Sequence, residues 1–354
     1  MNTTTAALAN PTVSGGRRAV ALWLLACCVL IFAMVVLGGV TRLTHSGLSM
    51  VEWDPIMGVV PPVGEQQWEA AFEKYKHFPE YRERNFGMSV AQFKGIYYVE
   101  YAHRMLGRAI GIVFLLPLLY FLWRGRVDRR LAPKLVALFV LGGLQGLMGW
   151  YMVQSGLVDR PSVSQYRLTA HLVFAFAIYG YMLWVAMDLL APARALAGRR
   201  DLAGVRRMAW AVTALIVVMV VTGGFVAGTK AGFAFNTFPL MNGRLVPEGY
   251  FAMAPAWHNF TENIATIQFN HRWLAILTGV AVVGLWWAGL RRTVDGATRT
   301  AFHVLLALVL AQIALGITTL LMVVPVALGA AHQGGALALL SGAIVVNHRL
   351  RGAG

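Results

Sequence analysis

Long apolar segments alternate with short polar ones along the whole chain. Each apolar segment has about 20 residues or more, which is the length that an α-helix needs to cross a bilayer. Because lipid offers the backbone no hydrogen-bond partners, each segment is predicted to be a helix. The predicted spans are residues 19–41, 96–123, 134–154, 166–190, 208–229, 263–288, 299–323 and 326–347. The pattern therefore predicts an all-α, polytopic membrane protein with eight transmembrane helices.

Composition and charge agree with a membrane protein. Hydrophobic residues make up 58% of the chain and charged residues only 13%, about half the charged fraction of a typical soluble protein. The net charge of +15 does not indicate a nucleic-acid partner, because more than half of the 30 basic residues fall on one set of loops and the tails. This asymmetry follows the positive-inside rule and predicts that both termini are cytoplasmic. Those basic loops are also expected to contact anionic lipid.

The sequence repeats itself. Gly38-Gly39, Thr44 and Gly47 match Gly223-Gly224, Thr229 and Gly232 at a constant offset of 185 residues, and further matches follow at similar offsets: Pro55 and Met57 with Pro239 and Met241, Gln145 and Gly149 with Gln312 and Gly316. Four spans thus repeat as four more. Since each unit has an even number of helices, we expect two tandem, pseudo-symmetric four-helix bundles related by an axis along the membrane normal.

The predicted organisation has five segments. Residues 1–18 form a cytoplasmic tail, 19–191 an N-terminal bundle, 192–207 a cytoplasmic linker, 208–348 a C-terminal bundle, and 349–354 a second tail. In the longest outer loop, residues 65–84 mix charged and aromatic side chains. That mixture is typical of an amphipathic helix on the membrane interface, or of a solvated loop helix.

Four histidines occupy matching places near the outer ends of the even-numbered spans: His103, His171, His271 and His332. Ionisable groups in a membrane are costly and usually mark a site. Paired imidazoles that face the interior of a helix bundle are typical axial ligands of haem iron. The alternatives are hydrogen-bonded packing residues, a proton pathway and zinc, although no Cys or carboxylate completes a tetrahedral zinc set in both halves.

The halves differ at Glu100. This carboxylate precedes His103 by three residues and shares its helical face, whereas Gln268 has that place in the second half. We interpret Glu100 as a group that moves protons or stabilises positive charge developing on a substrate. The second site would then be an electron relay. The alternative is a simple ion pair of Glu100 with Arg104 or Arg108 near the surface.

Three arginines near the histidines are candidate cofactor-binding residues. Arg104 and Arg272 each follow a histidine, and Arg108 lies one turn further on, where the second half has Ile276. A guanidinium is suited to pair with a haem propionate. The alternative is a side chain that extends to the outer surface.

Other polar residues in the apolar spans are assigned ordinary roles. We expect Gln145 and Gln312 to make hydrogen bonds between helices. The adjacent Cys27 and Cys28 are expected to be packing residues. The remaining histidines have no matched partner, and we expect them to be solvated or interfacial: His45, His77, His258, His303 and His348.

Several stretches together make the chain resemble the haem A synthases of proteobacteria and mitochondria. They are Gly39-Val40-Thr41-Arg42-Leu43-Thr44, Ser46-Gly47-Leu48-Ser49-Met50, Pro79-Glu80-Tyr81, and the segment from Phe93-Lys94 through Glu100-Tyr101-Ala102-His103-Arg104 to Gly107-Arg108. The resemblance extends from Leu37 to His348. Some family members carry a cysteine pair in the first outer loop. No cysteine lies between Arg42 and Lys94, so the chain resembles the subgroup without that pair.

The resemblance implies a fold of two similar four-helix bundles and a reaction. Haem A synthases oxidise the C8 methyl of haem O to a formyl group by successive hydroxylations, through an alcohol and a hydrated aldehyde. Carried over, His103 and His171 bracket haem O or haem A in the N-terminal bundle. His271 and His332 ligate a permanent haem b in the C-terminal bundle, and Glu100 is the essential carboxylate.

The resemblance also implies location and partners. It places the chain in the bacterial inner membrane, with haem O as substrate, and with haem O synthase and an electron donor such as a ferredoxin as candidate partners. A homo-oligomer is left open. Two other classes fit four histidines in a repeat: a diheme b-type electron carrier without catalysis, and a transporter that uses the histidines as proton sites.

Overall fold

The computed structural model describes residues 15–52, 59–158, 163–190 and 200–351. In these ranges eight helices are long and apolar enough to cross a membrane, which confirms the predicted spans. They are α1 (Gly15–Leu43), α4 (Val90–Trp123), α5 (Ala132–Val158), α6 (Gln165–Leu190), α7 (Ala203–Gly228), α8 (Ile264–Leu290), α9 (Gly296–Leu321) and α10 (Val326–Leu350). Two short helices, α2 (Glu65–Lys76) and α3 (Pro79–Glu83), lie between α1 and α4. Pro55 and Met57 of the repeat, residues 1–14 of the first tail and residues 192–199 of the predicted linker lie outside the described residues.

Polar side chains fix where three of the membrane helices begin. The Ser89 hydroxyl accepts a hydrogen bond from the Gln92 backbone N–H, and the Gln92 side chain accepts one from the Ser89 backbone, which is a capping box before α4. Asn263 accepts from the backbone N–H of Thr266 before α8, and Asp295 caps α9. These residues satisfy N–H groups that a helix start leaves without partners.

Contacts between the helices close two rings of four. In the first ring α1 contacts α4 and α6, and α5 contacts the same two helices. In the second ring α7 contacts α8 and α10, and α9 contacts the same two helices. Helices α4 and α6 are therefore diagonal corners of one ring, and α8 and α10 are diagonal corners of the other.

The rings pack against each other along a seam, formed by α1 and α6 on one side and α7 and α10 on the other. The Gln333 side chain donates a 2.7 Å hydrogen bond to the backbone carbonyl of Val35, and the hydroxyls of Tyr179 and Ser341 are 2.9 Å apart. Such polar contacts hold helices together in lipid, where the hydrophobic effect between helices is weak.

The aromatic face of the first outer loop packs on protein. Trp68, Phe72 and Tyr75 of α2 are buried against Phe93 near the start of α4, and the Tyr75 and Phe93 rings stack with centroids 5.1 Å apart. The predicted amphipathic helix exists and its aromatic face packs on α4; its place at the membrane interface stays a prediction. Phe93 supplies an apolar partner that the loop sequence alone does not reveal.

His348 is predicted to be solvated or interfacial, and burial of its side chain contradicts the solvated alternative. Its side chain is buried in the last turn of α10, where Nε2 lies 3.0 Å from the Asp188 carboxylate of α6. Arg351 also donates to Asp188, and the Trp184 ring meets the imidazole edge-on. Asp188 is 160 residues away in sequence, so only the tertiary fold shows that it is the partner.

Candidate functional site

Each of the four matched histidines faces a glycine on a neighbouring helix. A Cβ added to these glycines would lie between 2.8 and 3.3 Å from the nearest ring atom, so the imidazoles occupy the space that side chains would fill. The pairs are Gly38 with His103, Gly149 with His171, Gly223 with His271, and Gly316 with His332. These glycines also match across the repeat. Both halves therefore make room for their rings in the same way.

The histidines form one pair in each ring. His103 on α4 and His171 on α6 come from diagonal corners, and they are close enough for the two rings to interact electrostatically. His271 on α8 and His332 on α10 are related in the same way. Each pair of imidazoles lies within one four-helix ring, and these are the residues that would hold one metal centre there.

The structure favours a haem over a zinc ion at these pairs. A structural zinc site takes four protein ligands and a catalytic site takes three. In the ranges that the structure describes, no group of three or more His, Cys, Asp or Glu side chains is placed to hold a metal ion. Two histidines per ring suffice for a porphyrin iron, because the macrocycle supplies the other four ligands.

The His271 ring is oriented by Thr222 of α7. The Thr222 hydroxyl lies 2.8 Å from His271 Nδ1, and it also donates to the backbone carbonyl of Met219 at 3.1 Å. A hydroxyl has one proton, so with that proton on the Met219 carbonyl Thr222 accepts from Nδ1–H. This tautomer leaves the Nε2 lone pair available to a metal, and such outer partners orient histidine ligands. The first half has Leu37 at the matched position, which cannot accept a hydrogen bond.

Two glutamines contact the other two histidines. Gln145 Nε2 donates to the His171 carbonyl at 3.0 Å and lies 3.2 Å from both ring nitrogens. Gln312 Nε2 donates to the His332 carbonyl at 2.9 Å. The predicted hydrogen bonds between helices are confirmed. Among the described residues, the Oε1 atoms of both amides and His332 Nδ1 are buried without a hydrogen-bond partner, so polar atoms remain for a ligand and the donor set fits a haem.

Glu100 is buried and accepts four hydrogen bonds. Ser49 Oγ and the Met50 backbone N–H donate to Oε2 at 2.7 and 2.8 Å, and Arg104 donates to Oε1 through two nitrogens at 3.1 and 2.6 Å. The ion pair with Arg104 thus exists, but its side chains are only 10% and 3% exposed. It is not the surface pair that was the simpler alternative. The carboxylate is held in one orientation, one turn before His103.

Gln268 makes the complementary set of contacts in the second half. Its amide Nε2 donates to the carbonyls of Ala231 and Ala234 at 2.8 and 2.6 Å, and its Oε1 accepts from Arg272 at 3.0 Å. The outer loop therefore offers hydrogen-bond donors to the carboxylate in one half and acceptors to the amide in the other. The difference between Glu100 and Gln268 is built into both loops.

Arg104 and Arg272 fasten the outer loops at matched positions. Arg104 donates to the carbonyls of Met50 and Glu52, at 2.8 and 3.1 Å. Arg272 donates to the carbonyls of Phe235 and Thr237, at 2.5 and 2.8 Å, and these are the residues offset by 185. Both guanidiniums thus hold backbone rather than extend to the surface.

Arg108 and Arg272 have different surroundings. Arg108 is half-buried, and its guanidinium lies 3.8 Å from the Met105 sulfur. Arg272 Nε is buried with no hydrogen-bond partner among the described residues. A propionate partner for Arg104, Arg108 and Arg272 stays a prediction.

A second buried carboxylate, Glu80 in α3, lies near Glu100. Tyr75 donates to it at 3.3 Å, and Asn85 donates to the Tyr75 hydroxyl at 2.6 Å. Burial and the charge of Glu100 raise the pKa of Glu80 to about 7, against the opposing effects of Arg84 and the Tyr75 hydrogen bond. The sequence stretch Pro79-Glu80-Tyr81 contributes to the family resemblance, but nothing in it signals that the carboxylate is buried.

Comparisons with known proteins show the family of this chain. The family model COX15-CtaA, described as cytochrome oxidase assembly protein, matches residues 21–344. The chain belongs to this family. It is 52% identical over 335 residues to the heme A synthase of Nitrosospira multiformis, covering 95% of this chain and 94% of that protein. It is 46% identical over 351 residues to heme A synthase COX15 of Arabidopsis thaliana, covering 96% and 77%.

Membership of the COX15-CtaA family applies to both rings. The matched residues 21–344 begin in α1 and end in α10, so they include all four histidines and the Glu100 and Gln268 positions. Heme A synthase COX15 of Mus musculus is also similar, with 45% identity over 341 residues, 95% of this chain and 83% of that protein.

Proposed function

We propose that this protein is a haem A synthase, an oxidoreductase of the bacterial inner membrane that converts the C8 methyl of haem O to a formyl group. Its relatives at about half identity carry that name. The observation that carries the proposal is the set of four histidines, each facing a repeat-matched glycine, in two rings that differ at Glu100 and Gln268. A diheme electron carrier needs the four histidines but gives no reason for that difference.

The N-terminal ring is assigned to the substrate haem. His103 and His171 would bracket haem O and release haem A. Two differences support an exchangeable site: Leu37 cannot offer the His103 ring the acceptor that Thr222 offers to His271, and the outer loop of this half is the longer one. A ligand that must leave after each turnover is served by a less constrained site.

The C-terminal ring is assigned to a permanent haem b, ligated by His271 and His332. Bound there, haem b would supply an electron-transfer centre. The residues of this ring orient and retain it. Thr222 contacts one imidazole, Gly316 approaches the His332 ring, and Gln268 brings an uncharged amide to the place where Glu100 brings a carboxylate in the other half.

Glu100 is proposed as the catalytic carboxylate. Its position one turn from His103 places it beside the substrate haem. There it accepts a proton released as the methyl group is oxidised, or stabilises positive charge that develops on the substrate. Ser49, Met50 and Arg104 hold both oxygens, so the carboxylate needs no reorganisation during the reaction. Arg104, Arg108 and Arg272 keep their predicted role toward haem propionates.

The arrangement in the membrane completes the proposal. Both termini and the segment between the rings are cytoplasmic, and the helix contacts support an N-terminal bundle of residues 19–191 and a C-terminal bundle of residues 208–348. Haem O synthase is proposed as the source of substrate, and an electron donor such as a ferredoxin as the redox partner. A homo-oligomer is compatible with the fold.

Haem extraction tests the proposed function. The chain is expressed in a host that makes haem O but lacks its own haem A synthase, and membrane haems are separated and identified by mass. We expect haem A in cells with the wild-type chain and haem O alone in cells with an empty vector. A purified protein that holds haem b and leaves haem O unchanged would instead identify a diheme electron carrier.

A further inference from the structure

Four basic residues meet at the outer end of the seam. Arg42 lies in the last turn of α1, His45 follows that helix, Lys230 follows α7, and Arg84 follows α3; they are called here the seam cluster. Arg84 Nη1 lies 3.4 Å from His45 Nδ1. Arg42 Nη1 donates to the carbonyl of Ala227 across the seam at 3.1 Å. The cluster therefore joins both rings to the first outer loop.

The charges of the seam cluster are not neutralised within the described chain. No carboxylate oxygen of the described residues lies within 4.0 Å of a side-chain nitrogen of the seam cluster. The buried Arg42 Nε has no hydrogen-bond partner among the same residues. His45, Arg84 and Lys230 have exposed side chains, and Arg42 is half-buried. Partial desolvation, and then Lys230, Arg84 and Arg42, lower the pKa of His45; partial desolvation, and then Arg84 and Arg42, lower that of Lys230. Glu80 is the acid that feels the charge of Arg84, at longer range. Like charges this close repel, which a bound anion would relieve.

Helix dipoles explain part of the cluster only. His45 and Lys230 occupy matched positions in the repeat, and both have a left-handed backbone conformation, with φ of 54° and 57°. Each follows the C-terminus of a membrane helix, where a basic residue is favourable. That effect does not require the two to converge. It also does not apply to Arg84, which comes from the outer loop and ends neither α1 nor α7.

An outer groove opens beside the cluster. It has a volume of about 580 Å³ and is lined by Thr44, Ser46, Arg84, Asn85, Ile96 and Val99, among others. The groove is largely open to solvent, and it combines an apolar wall with a few polar groups.

The groove lies directly outward of the first histidine. Val99 precedes His103 by one turn on α4, and Arg42 follows Gly38, which faces His103, by one turn on α1. Four residues of α-helix rise by about 6 Å along the helix axis. An extended ligand held at His103 would therefore reach the groove with its outer edge.

We propose that the seam cluster and the outer groove bind anionic oxygens, and that the ligand is the propionate edge of the substrate haem. The inference rests on the proposed function, since it takes a substrate haem to lie against His103. The cluster would add to the arginines already proposed for the propionates: Arg104 also donates to Glu100 and to loop carbonyls, whereas the cluster has N–H donors free of carboxylates. Phospholipid phosphate has the same anionic chemistry and is the other source to be distinguished.

Binding of an esterified ligand tests the proposal. Full-length protein in phosphatidylcholine nanodiscs is titrated spectroscopically with haem O and with its dimethyl ester, for the wild type and for the Arg84→Gln/Lys230→Gln double variant. The control is Arg82→Gln, an exposed arginine on α3 outside the cluster. We expect the double variant to weaken binding of the free acid roughly tenfold, about 1.4 kcal/mol, and to leave the ester unchanged. Equal binding of acid and ester by the wild type would overturn the proposal.

A second arm identifies the source of the anion. Titrations are repeated in nanodiscs in which phosphatidylglycerol replaces phosphatidylcholine. Propionate binding predicts that the double variant keeps its defect for free haem O in both lipids. If the double variant binds haem O normally but loses a protective effect of phosphatidylglycerol on thermal unfolding, the ligand is lipid phosphate and the propionate assignment is wrong. If neither readout changes, there is no anion site.

The test is separable from the proposed function. Spectroscopic binding requires no turnover, so a protein that bound haem O with the predicted preference but produced no haem A would contradict the synthase activity and keep the anion site. A protein that produced haem A but bound the free acid and the ester equally would support the synthase activity and contradict the anion site.

Discussion

Ser49 Oγ donates a 2.7 Å hydrogen bond to Glu100 Oε2. At the repeat-matched place, Ala234 has no hydroxyl and instead presents its carbonyl to Gln268. The two halves thus keep one backbone plan and reverse the direction of the hydrogen bonds around one position. The loop, and not only the side chain, determines which half holds the carboxylate.

Glu100→Gln is expected to abolish haem A formation. The amide has nearly the volume of the carboxylate, so packing survives, but it cannot carry negative charge and its NH₂ would face the Ser49 and Met50 donors. Haem extracted from the variant should be haem O, with haem b retained. Ser49→Ala is the matched control: it keeps the charge and removes one donor, so it should retain conversion at a lower rate. Wild-type haem A output from Glu100→Gln would exclude an essential carboxylate.

Thr222→Val should loosen haem b and raise its midpoint potential. An Nδ1–H donated to an oxygen makes the imidazole a stronger donor to iron, which stabilises the ferric state. Loss of an outer partner typically weakens metal binding by about 10–100-fold. Spectroelectrochemistry and haem-to-protein ratios measure both effects. Thr278→Val is the control, because the Thr278 hydroxyl donates to the Leu274 carbonyl on the same helix as His271. An unchanged potential in Thr222→Val would show that Thr222 does not act through His271.

Gly316→Ala should expel haem b. The new Cβ would lie 2.8 Å from His332 Cε1, so the ring must turn or shift. Gly142→Ala on α5 is the control, since a Cβ there meets nothing within 4 Å. A full complement of haem b in Gly316→Ala, read from the reduced-minus-oxidised spectrum, would mean that the ring moves at no cost to ligation.

Glu80 should make the outer loop less stable as pH rises. Its pKa is raised from 4.5 to about 7 on folding, so between these values the folded state holds more protons than the unfolded state and the free energy of unfolding falls with pH. A shift of this size corresponds to on the order of 3 kcal/mol. Hydrogen exchange of α2 is compared between wild type and Glu80→Gln at one pH, which cancels intrinsic rates. The variant should be better protected at pH 8 and similar at pH 5.

The exposed Glu83 provides the control for this pH effect. Glu83→Gln removes a carboxylate from the same short helix without changing a buried group. If Glu83→Gln protected α2 at pH 8 as well as Glu80→Gln did, net charge of the loop and not burial of Glu80 would be the cause.

The sequence predicted the parts of the structure that depend on local pattern. The number and approximate places of the spans, the repeat and the histidine positions follow from hydrophobicity and from residue identity at fixed offsets, whereas helix starts such as Val90 also depend on polar caps. The hydrogen bond of Thr222 did not stand out, because a threonine in an apolar helix is common and its partner, His271, lies 49 residues away. Burial of His348 depends on Asp188, and the seam cluster depends on how the two rings meet. Neither follows from the local pattern.

Arg42 and Ala227 occupy equivalent positions in the two halves and touch each other. A residue on a two-fold axis faces its own copy. In an assembly of two identical half-length chains, an arginine at this position would therefore meet a second arginine. Covalent linkage of the halves removes that constraint, since one copy can become alanine and offer only a backbone oxygen. A single chain can thus carry one arginine at the axis that relates its halves without a second arginine facing it, which a homodimer of half-length chains cannot do.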